Sequence, residues 1–315
     1  MINRRMLRVK ALQIFYAHSK KEDGLAKAEQ ELMHNLERMY DLYLYFMQLL
    51  VKLADHAQYR IHLNQQKKLA TESDLNPNRK FVNNRVIASF RNDATLQKTL
   101  RNRGIDLGDA NRLIRELYNN IEADQAFQDF MNSDVDSLTA DKRILTHILA
   151  ENLNYSESLA QELEKKSIYW NDDIEYALSL VVKSVNTVRP RNSNNTVVLP
   201  QYSDQEDVYF VKTLLRKSIL QFGDNRGLIK NFTQKWDVER LAEIDLLIMI
   251  MALAEIKEFP SIPVKVTLNE YIEMAKYYGT RKSAVFINGV LDKTVEYMRK
   301  HELFEKQGRG LIGST

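Results

Sequence analysis

The 315-residue sequence contains no cysteine, which excludes disulfide bonds, thiolate nucleophiles and cysteine-ligated metal or iron–sulfur sites. Glycine and proline are scarce, with ten and five residues against average usage of about 7% and 5%. Because tight turns depend on these residues, the composition disfavours an all-β fold. No apolar stretch reaches the roughly 18 residues of a membrane-spanning helix, and the N-terminus has no apolar signal-peptide core. We therefore expect a cytoplasmic protein that is neither exported nor inserted in a membrane.

The net charge of +3 is distributed unevenly, and binding follows local fields rather than the total. Residues 1–21 carry six basic side chains and no acidic one. A second basic stretch, residues 59–103, has ten basic side chains against three acidic ones. This second stretch is either a solvated face or a binding patch.

Apolar residues recur at helical spacing along almost the whole chain. In the first segment Leu7, Ala11, Ile14 and Phe15 fall on one face of a helix. The same spacing recurs around residues 42–53, 113–121, 145–153, 176–185 and 208–219. The apolar run at residues 246–253 is typical of a buried core helix. Since two-residue alternation is limited to the short stretch 196–199, the sequence predicts an all-α protein.

Several short segments predict boundaries between these helices. Residues 189–195 are polar and contain a proline, as expected of a linker or loop. Pro260 and Pro263 predict the end of one helix, and Thr267 with Glu270 forms a capping-box pattern that predicts the start of the next. Gly279 is placed to end that next helix.

The most specific pattern lies in residues 236–296. An apolar segment that carries one aspartate ends in Ala-Leu-Ala-Glu255, and a proline break follows it. The motifs after the break are, in order, Pro263-Val-Lys-Val, Asn269-Glu, Ala275-Lys, Gly279 and Phe286-Ile-Asn-Gly-Val-Leu-Asp292. In this order and spacing, the segment resembles the NusB family of transcription antitermination factors. Residues 4–16 look like the arginine-rich first helix of that family. Residues 207–215 are similar to the helix that begins its C-terminal half.

The resemblance implies a non-enzymatic, all-helical RNA-binding protein. NusB proteins bind a short single-stranded RNA element, boxA, of ribosomal RNA leader transcripts, together with the ribosomal protein NusE, and the pair joins the RNA polymerase complex. By this resemblance, residues 1–40 and 202–303 form the NusB-like domain, and residues 41–201 are a helical insertion between the second and third family helices. We expect residues 304–315 to be a flexible tail.

The opening helix carries a cluster of arginines at its N-terminal end, namely Arg4, Arg5 and Arg8. Cations there oppose the helix dipole by about 0.3–1 kcal/mol each, whereas a bound phosphate would make the cluster favourable. The alternative is a solvated basic terminus. A phosphate site requires that these arginines are not already paired with carboxylates, and that this helix lies beside the closing pair of helices.

Aromatic rings and further basic groups complete the expected RNA site. Carried over from the family by position, the RNA contacts are Tyr16, Tyr278, Lys282 and Phe286, with Lys276 and Arg281 adding positive charge. Base stacking on such rings contributes about 1–3 kcal/mol per base. Ordinary core packing is the alternative for Tyr16 and Phe286. Gln13 is either a contact to a base edge or simply a polar helix residue.

The chain also departs from the family pattern. Family members commonly place basic residues on the helix after the aspartate that here is Asp245, whereas this chain has Leu246 and Ile250. Met6 similarly occupies a position where arginine is frequent. One hypothesis, motivated by charge alone, is that the basic residues between 79 and 103 compensate.

Catalytic and cofactor patterns are weak, so we expect no cofactor, no metal and no catalytic residue. The Gly308-x-Gly310-x-x-Gly313 spacing lacks the strand and helix that a dinucleotide site requires. The six histidines show no metal-ligand spacing, and Asp134 with Asp136 lacks the rest of a calcium loop. Two alternatives to an antitermination factor remain, namely a NusB-like RNA-binding module in rRNA processing or methylation and a helical scaffold without RNA binding.

Overall fold

The computed structural model describes residues 1–21, 24–108, 110–190, 196–233, 242–280 and 282–312. The predicted all-α fold is confirmed, since the regular structure in these ranges is helical and contains no β-strand. The α-helices are α1 (Arg4–Lys20), α2 (Leu25–Gln65), α3 (Glu72–Leu75), α4 (Arg85–Asn92), α5 (Ala94–Arg103), α6 (Asn111–Ala123), α7 (Gln125–Asn132), α8 (Leu138–His147), α9 (Glu157–Lys166), α10 (Ile174–Thr187), α11 (Gln205–Leu220), α12 (Phe222–Phe232), α13 (Glu243–Glu258), α14 (Val264–Tyr278) and α15 (Ser283–Lys300). A π-helical segment (Ile148–Leu153) continues α8, and short 3-10 turns lie at Ile168–Trp170 and Gly308–Leu311.

The chain divides into two compact units. Unit 1 comprises residues 1–35 and 202–315, and unit 2 comprises residues 36–201. Helix α2 begins in unit 1 and continues in unit 2. Unit 1 is therefore assembled from both ends of the sequence.

Unit 1 is organised around α13, which packs against α1, α11, α12, α14 and α15. Its residues 247–256 are buried on every side, which confirms the predicted core helix. Helix α1 turns the predicted apolar face inward, with Leu7, Ala11, Ile14 and Phe15 all buried. Asn3 caps α1 by accepting a hydrogen bond from the backbone N–H of Met6 at 2.9 Å.

The boundary between α13 and α14 differs in part from the sequence prediction. Helix α13 ends at Glu258, just before Pro260, as expected. Helix α14, however, begins at Val264 directly after Pro263, so the predicted capping box at Thr267 and Glu270 is wrong. Both residues lie inside the helix, and their side chains bind partners on other helices instead of the backbone of α14.

Residues 304–312 are held against unit 1, which differs from the flexible tail predicted for residues 304–315. Lys306 is buried and donates to the carbonyl oxygens of Ile256 and Phe259, both at 2.9 Å. Burial lowers the pKa of Lys306 to about 8. Gly310 approaches Pro260 so closely that a Cβ at this position would lie 1.8 Å from the Pro260 carbonyl oxygen. Residues 313–315 lie outside the described part of the chain.

Unit 2 has its own apolar core. The α2 positions predicted to share one face, between Leu42 and Leu53, are fully buried in it. Two polar contacts tie distant segments to α2: the Trp170 indole donates to the Arg38 carbonyl at 2.8 Å, and the hydroxyls of Tyr43 and Ser184 lie 2.7 Å apart. The predicted linker at residues 189–195 falls mostly on residues 191–195, which lie outside the described ranges.

Among the described residues, no helix combines the length and apolar composition needed to cross a bilayer.

Candidate nucleic-acid interface

The first two arginines of α1 are paired with carboxylates of unit 1. Arg4 Nε lies 3.1 Å from Asp207 Oδ1, and its Nη2 lies 3.5 Å from Glu206 Oε2. Arg5 donates to both carboxylate oxygens of Glu270 at 2.9 and 2.8 Å. The unfavourable cations at the positive end of α1 are thus compensated within the protein. Both arginine side chains still reach the surface, with 38% and 58% of their area exposed.

Arg8 is placed differently, and its prediction as an RNA contact is wrong for this structure. Its side chain is buried and donates to both oxygens of Glu255 at 2.7 Å. Thr267 and Tyr271 donate to the same carboxylate at 2.9 and 3.0 Å, so Glu255 is saturated with partners. Burial opposes the charge of Arg8, but the hydrogen bonds and charge of Glu255 outweigh it and raise the pKa of the guanidinium. Arg8 therefore joins α1 to α13 instead of facing solvent.

Helix α1 contacts the last turn of α14 through Gln13. The Gln13 amide donates to the Tyr278 hydroxyl at 3.4 Å and accepts a hydrogen bond from Lys10 at 3.1 Å. Three residues further along the helix, Tyr16 is exposed, and Lys20 Nζ lies 5.3 Å from the centre of its ring. The contact between Gln13 and Tyr278 shows the predicted proximity of the first helix to the closing helices.

The turn between α14 and α15 is fixed by close packing and hydrogen bonds. Gly279 ends α14 in an extended conformation, and a Cβ there would lie 2.6 Å from Ser283 Cβ and 2.7 Å from the Ala275 carbonyl oxygen. The Ser283 hydroxyl donates to Asp245 at 2.7 Å and accepts from the Thr280 backbone N–H at 2.8 Å. Burial raises the pKa of Asp245. Asp245 therefore anchors this turn from α13.

Three of the remaining predicted contacts lie on or beside this turn. Lys276 and Lys282 are exposed, and Lys276 forms an ion pair with Glu273 on the same helix. Phe286 is half-buried, one turn into α15. Arg281, which the resemblance also implies, lies outside the described residues.

The positions where the chain departs from the family pattern are not exposed. Ile250 is fully buried in α13, and Leu246 and Met6 are half-buried. Ile250 belongs to the core of unit 1, where an apolar side chain is favoured over a charged one.

Five of the ten basic residues in the second basic stretch form ion pairs with carboxylates within unit 2. Arg60 pairs with Glu122 at 2.8 Å, and Arg103 pairs with Asp41 at 2.8 Å. Arg85 and Arg91 likewise form ion pairs with aspartates. These contacts favour a solvated, locally paired surface over a concentrated anion-binding patch.

Sequence reasoning missed the partners of the arginines and one aromatic residue. The sequence did contain a signal that Glu255 has a charged partner, because a single carboxylate near the end of an otherwise apolar helix must be paired when it is buried. No sequence signal indicated the partner of Glu270, since Arg5 lies 265 positions away in the chain. Tyr277, beside Tyr278, is 79% exposed.

Neither a metal site nor a dinucleotide site is apparent in the described part of the chain. It contains no cluster of three or more His, Asp or Glu residues able to hold a metal ion. Gly310 of the glycine pattern packs against Pro260, and the pattern's last glycine, Gly313, lies outside the described residues. Asp136 pairs with Arg85 at the surface.

Comparison with known proteins matches residues 175–296 to the NusB family model. A transcription antitermination protein NusB of Salinibacter ruber is 30% identical over 158 residues, which is 49% of this chain and 89% of the relative. The protein of the same name in Chloroherpeton thalassium is 36% identical over 103 residues, 33% of this chain and 49% of the relative. The one in Natranaerobius thermophilus is 39% identical over 91 residues, 29% of this chain and 66% of the relative. No solved structure matches the chain.

Proposed function

Because the chain belongs to the NusB family of transcription antitermination proteins, we propose that it binds boxA-like single-stranded RNA of rRNA leader transcripts. In this proposal it acts in the cytoplasm with the ribosomal protein NusE as part of the RNA polymerase complex, and it performs no catalytic step. Unit 1 carries the RNA-binding surface in this proposal. The predicted insertion at residues 41–201 overlaps the family match at residues 175–201, so the part of it without a family match is residues 41–174. The alternatives are an RNA-binding module in rRNA processing or methylation and a helical scaffold.

The observation that supports this proposal most directly is the contact between Gln13 and Tyr278. Because Gln13 and Tyr16 lie three residues apart on α1, this contact favours a common surface for the exposed Tyr16 side chain and the α14–α15 turn. Rings and amides on one surface suit single-stranded RNA, whose unpaired bases stack on aromatic side chains and expose their edges to hydrogen bonding.

In this proposal Lys276 and Lys282 supply positive charge at the α14–α15 turn, and Arg4 and Arg5 supply it at the start of α1. The phosphate site expected at the start of α1 required unpaired arginines, and in this structure all three arginines are paired, so that site is not preformed. In this proposal Arg4 and Arg5 contact phosphates by exchanging their carboxylate partners for them. Because the side chains of Asp207 and Glu270 are only 6% and 17% exposed, this exchange costs more than the roughly 0–1 kcal/mol of a fully exposed ion pair. Arg8 is excluded from this role because its pair with Glu255 is buried.

We test the proposal by titrating the full chain with a boxA-like RNA of about twelve nucleotides, with and without NusE, at about 50 and 200 mM salt. We expect Lys282→Gln to weaken binding and to reduce the salt slope by about one, because one phosphate contact is lost. Lys300→Gln is the matched control, since this exposed lysine lies at the other end of α15, about 27 Å from Lys282 by helical rise.

Absence of RNA binding by the wild-type chain, with and without NusE, would contradict the proposal. Binding of adenosylmethionine would favour the methylation alternative. Retention of a protein partner after RNase treatment, together with no RNA affinity, would favour a scaffold.

A further inference from the structure

Tyr277 is a large aromatic side chain left in solvent at the end of α14. Its ring is 79% exposed, whereas Tyr271, two turns earlier on the same helix, is fully buried. The neighbouring Tyr278 is half-buried and bonds Gln13 of α1. The two rings make an edge-to-face contact, with centroids 5.0 Å apart and planes at 68°.

The fold of unit 1 does not require this ring. Met274 and Ala275 provide the buried face of the last turn of α14, and Tyr277 lies on the solvent face with Lys276. Exposed helix positions favour alanine over tyrosine by a few tenths of a kcal/mol. A contribution of Tyr277 to packing therefore does not explain its presence.

The surroundings of Tyr277 match what unpaired RNA needs. Lys276, which pairs with Glu273, and Lys282 are exposed on either side of it in the sequence, and lysines are suited to contact phosphates. The exposed ring is available to a base by stacking. A ring face with flanking cations is the combination that binds single strands with little sequence preference.

We propose that Tyr277 is a further base-stacking residue, which extends the surface of Gln13, Tyr16 and Tyr278 by one nucleotide. The inference rests on the proposed RNA-binding function. Because the two tyrosine rings are inclined at 68°, bases stacked on them are splayed apart and cannot stack on each other. The surface therefore selects an unpaired, locally bent strand over a duplex.

The test compares Tyr277→Ala and Tyr277→Phe in the full chain, using the boxA-like RNA and a duplex of the same length. We expect Tyr277→Ala to weaken single-strand binding between about fivefold and a hundredfold, as loss of one stack implies. Tyr277→Phe should stay within about twofold of wild type, because stacking needs the ring and not the hydroxyl. The salt slope should not change, since no charge is removed. Tyr155→Ala, which removes an equally exposed tyrosine from unit 2, is the matched control.

A second measurement identifies the stacked base. RNAs with one abasic nucleotide at each position are titrated against wild type and Tyr277→Ala. At one position the abasic RNA should lose as much affinity as the variant does, and combining the two changes should add nothing. Additive losses at every position would overturn the inference, and so would wild-type affinity in Tyr277→Ala. Failure of the wild-type chain to bind RNA would instead refute the proposed function itself.

Discussion

Arg5 and Arg8 lie three residues apart on α1, yet their side chains have opposite surroundings. Arg8 is buried with Glu255, and removing one partner of a buried pair typically costs about 3–5 kcal/mol. Loss of RNA binding in an Arg8 variant would therefore report damage to the fold. Arg5 is more than half exposed, and its hydrogen bonds lower the pKa of Glu270, which keeps this pair ionised at neutral pH. A variant that changes the Arg5 ion pair therefore tests RNA binding without removing a buried ion pair.

We expect Glu270→Gln to tighten RNA binding about two- to fivefold, because Arg5 no longer has to leave a carboxylate to reach a phosphate. The measurement is the same RNA titration at low salt. Glu296→Gln, an exposed position on α15, removes an equal negative charge away from the turn and should change affinity less. Equal gains in both variants would show that only net charge matters.

At the scale of elements, the α14–α15 turn depends on the absence of a side chain at Gly279. Its backbone is extended and not left-handed, so what demands glycine is the close approach of Ser283 and Ala275. Sequence position alone predicted a helix-ending glycine here, and that position is confirmed. The reason for it was not predictable, because it depends on how α15 returns against α14.

Gly279→Ala should lower the free energy of unfolding by about 1–3 kcal/mol, as forced contacts in packed regions do. It should also weaken RNA binding, because the turn carries Tyr278 and Lys282. Gly289→Ala is the control, since a Cβ there meets nothing within 4 Å and α15 is continuous through it. That variant should be stabilised by up to about 1 kcal/mol. Thermal or urea unfolding measures both, and equal stability of the two variants would contradict the steric argument.

At the scale of the whole molecule, charge is balanced locally in unit 2. Arg60, Arg85, Arg91 and Arg103 of the second basic stretch pair with aspartates or glutamates of unit 2. Lys98 and Arg101 are exposed on α5 and make none of the ion pairs found within the described residues. Because no carboxylate in the described part of the chain neutralises them, substitutions at these two positions test most directly whether the second basic stretch binds RNA.

We expect the double variant Lys98→Gln, Arg101→Gln to retain wild-type RNA affinity within about twofold, with an unchanged salt slope. Substitution is preferable to deletion of residues 60–103, because Phe81 and Phe90 in that range are core residues of unit 2. A slope reduced by one to two would show that the insertion contacts RNA phosphates.

Sequence by itself determined the helical class, the buried faces of α1, α2 and α13, and the family, because helical periodicity and motif spacing are local properties of the chain. Its local rules failed at Thr267, Glu270 and Arg8. There, pairing between distant helices outweighs capping and solvation, because buried charges and hydroxyls must find partners. Only the tertiary structure decided which arginines remain at the surface, why Gly279 is required, and that Tyr277 is exposed beside Tyr278. Each of these depends on residues that meet through folding and not through sequence proximity.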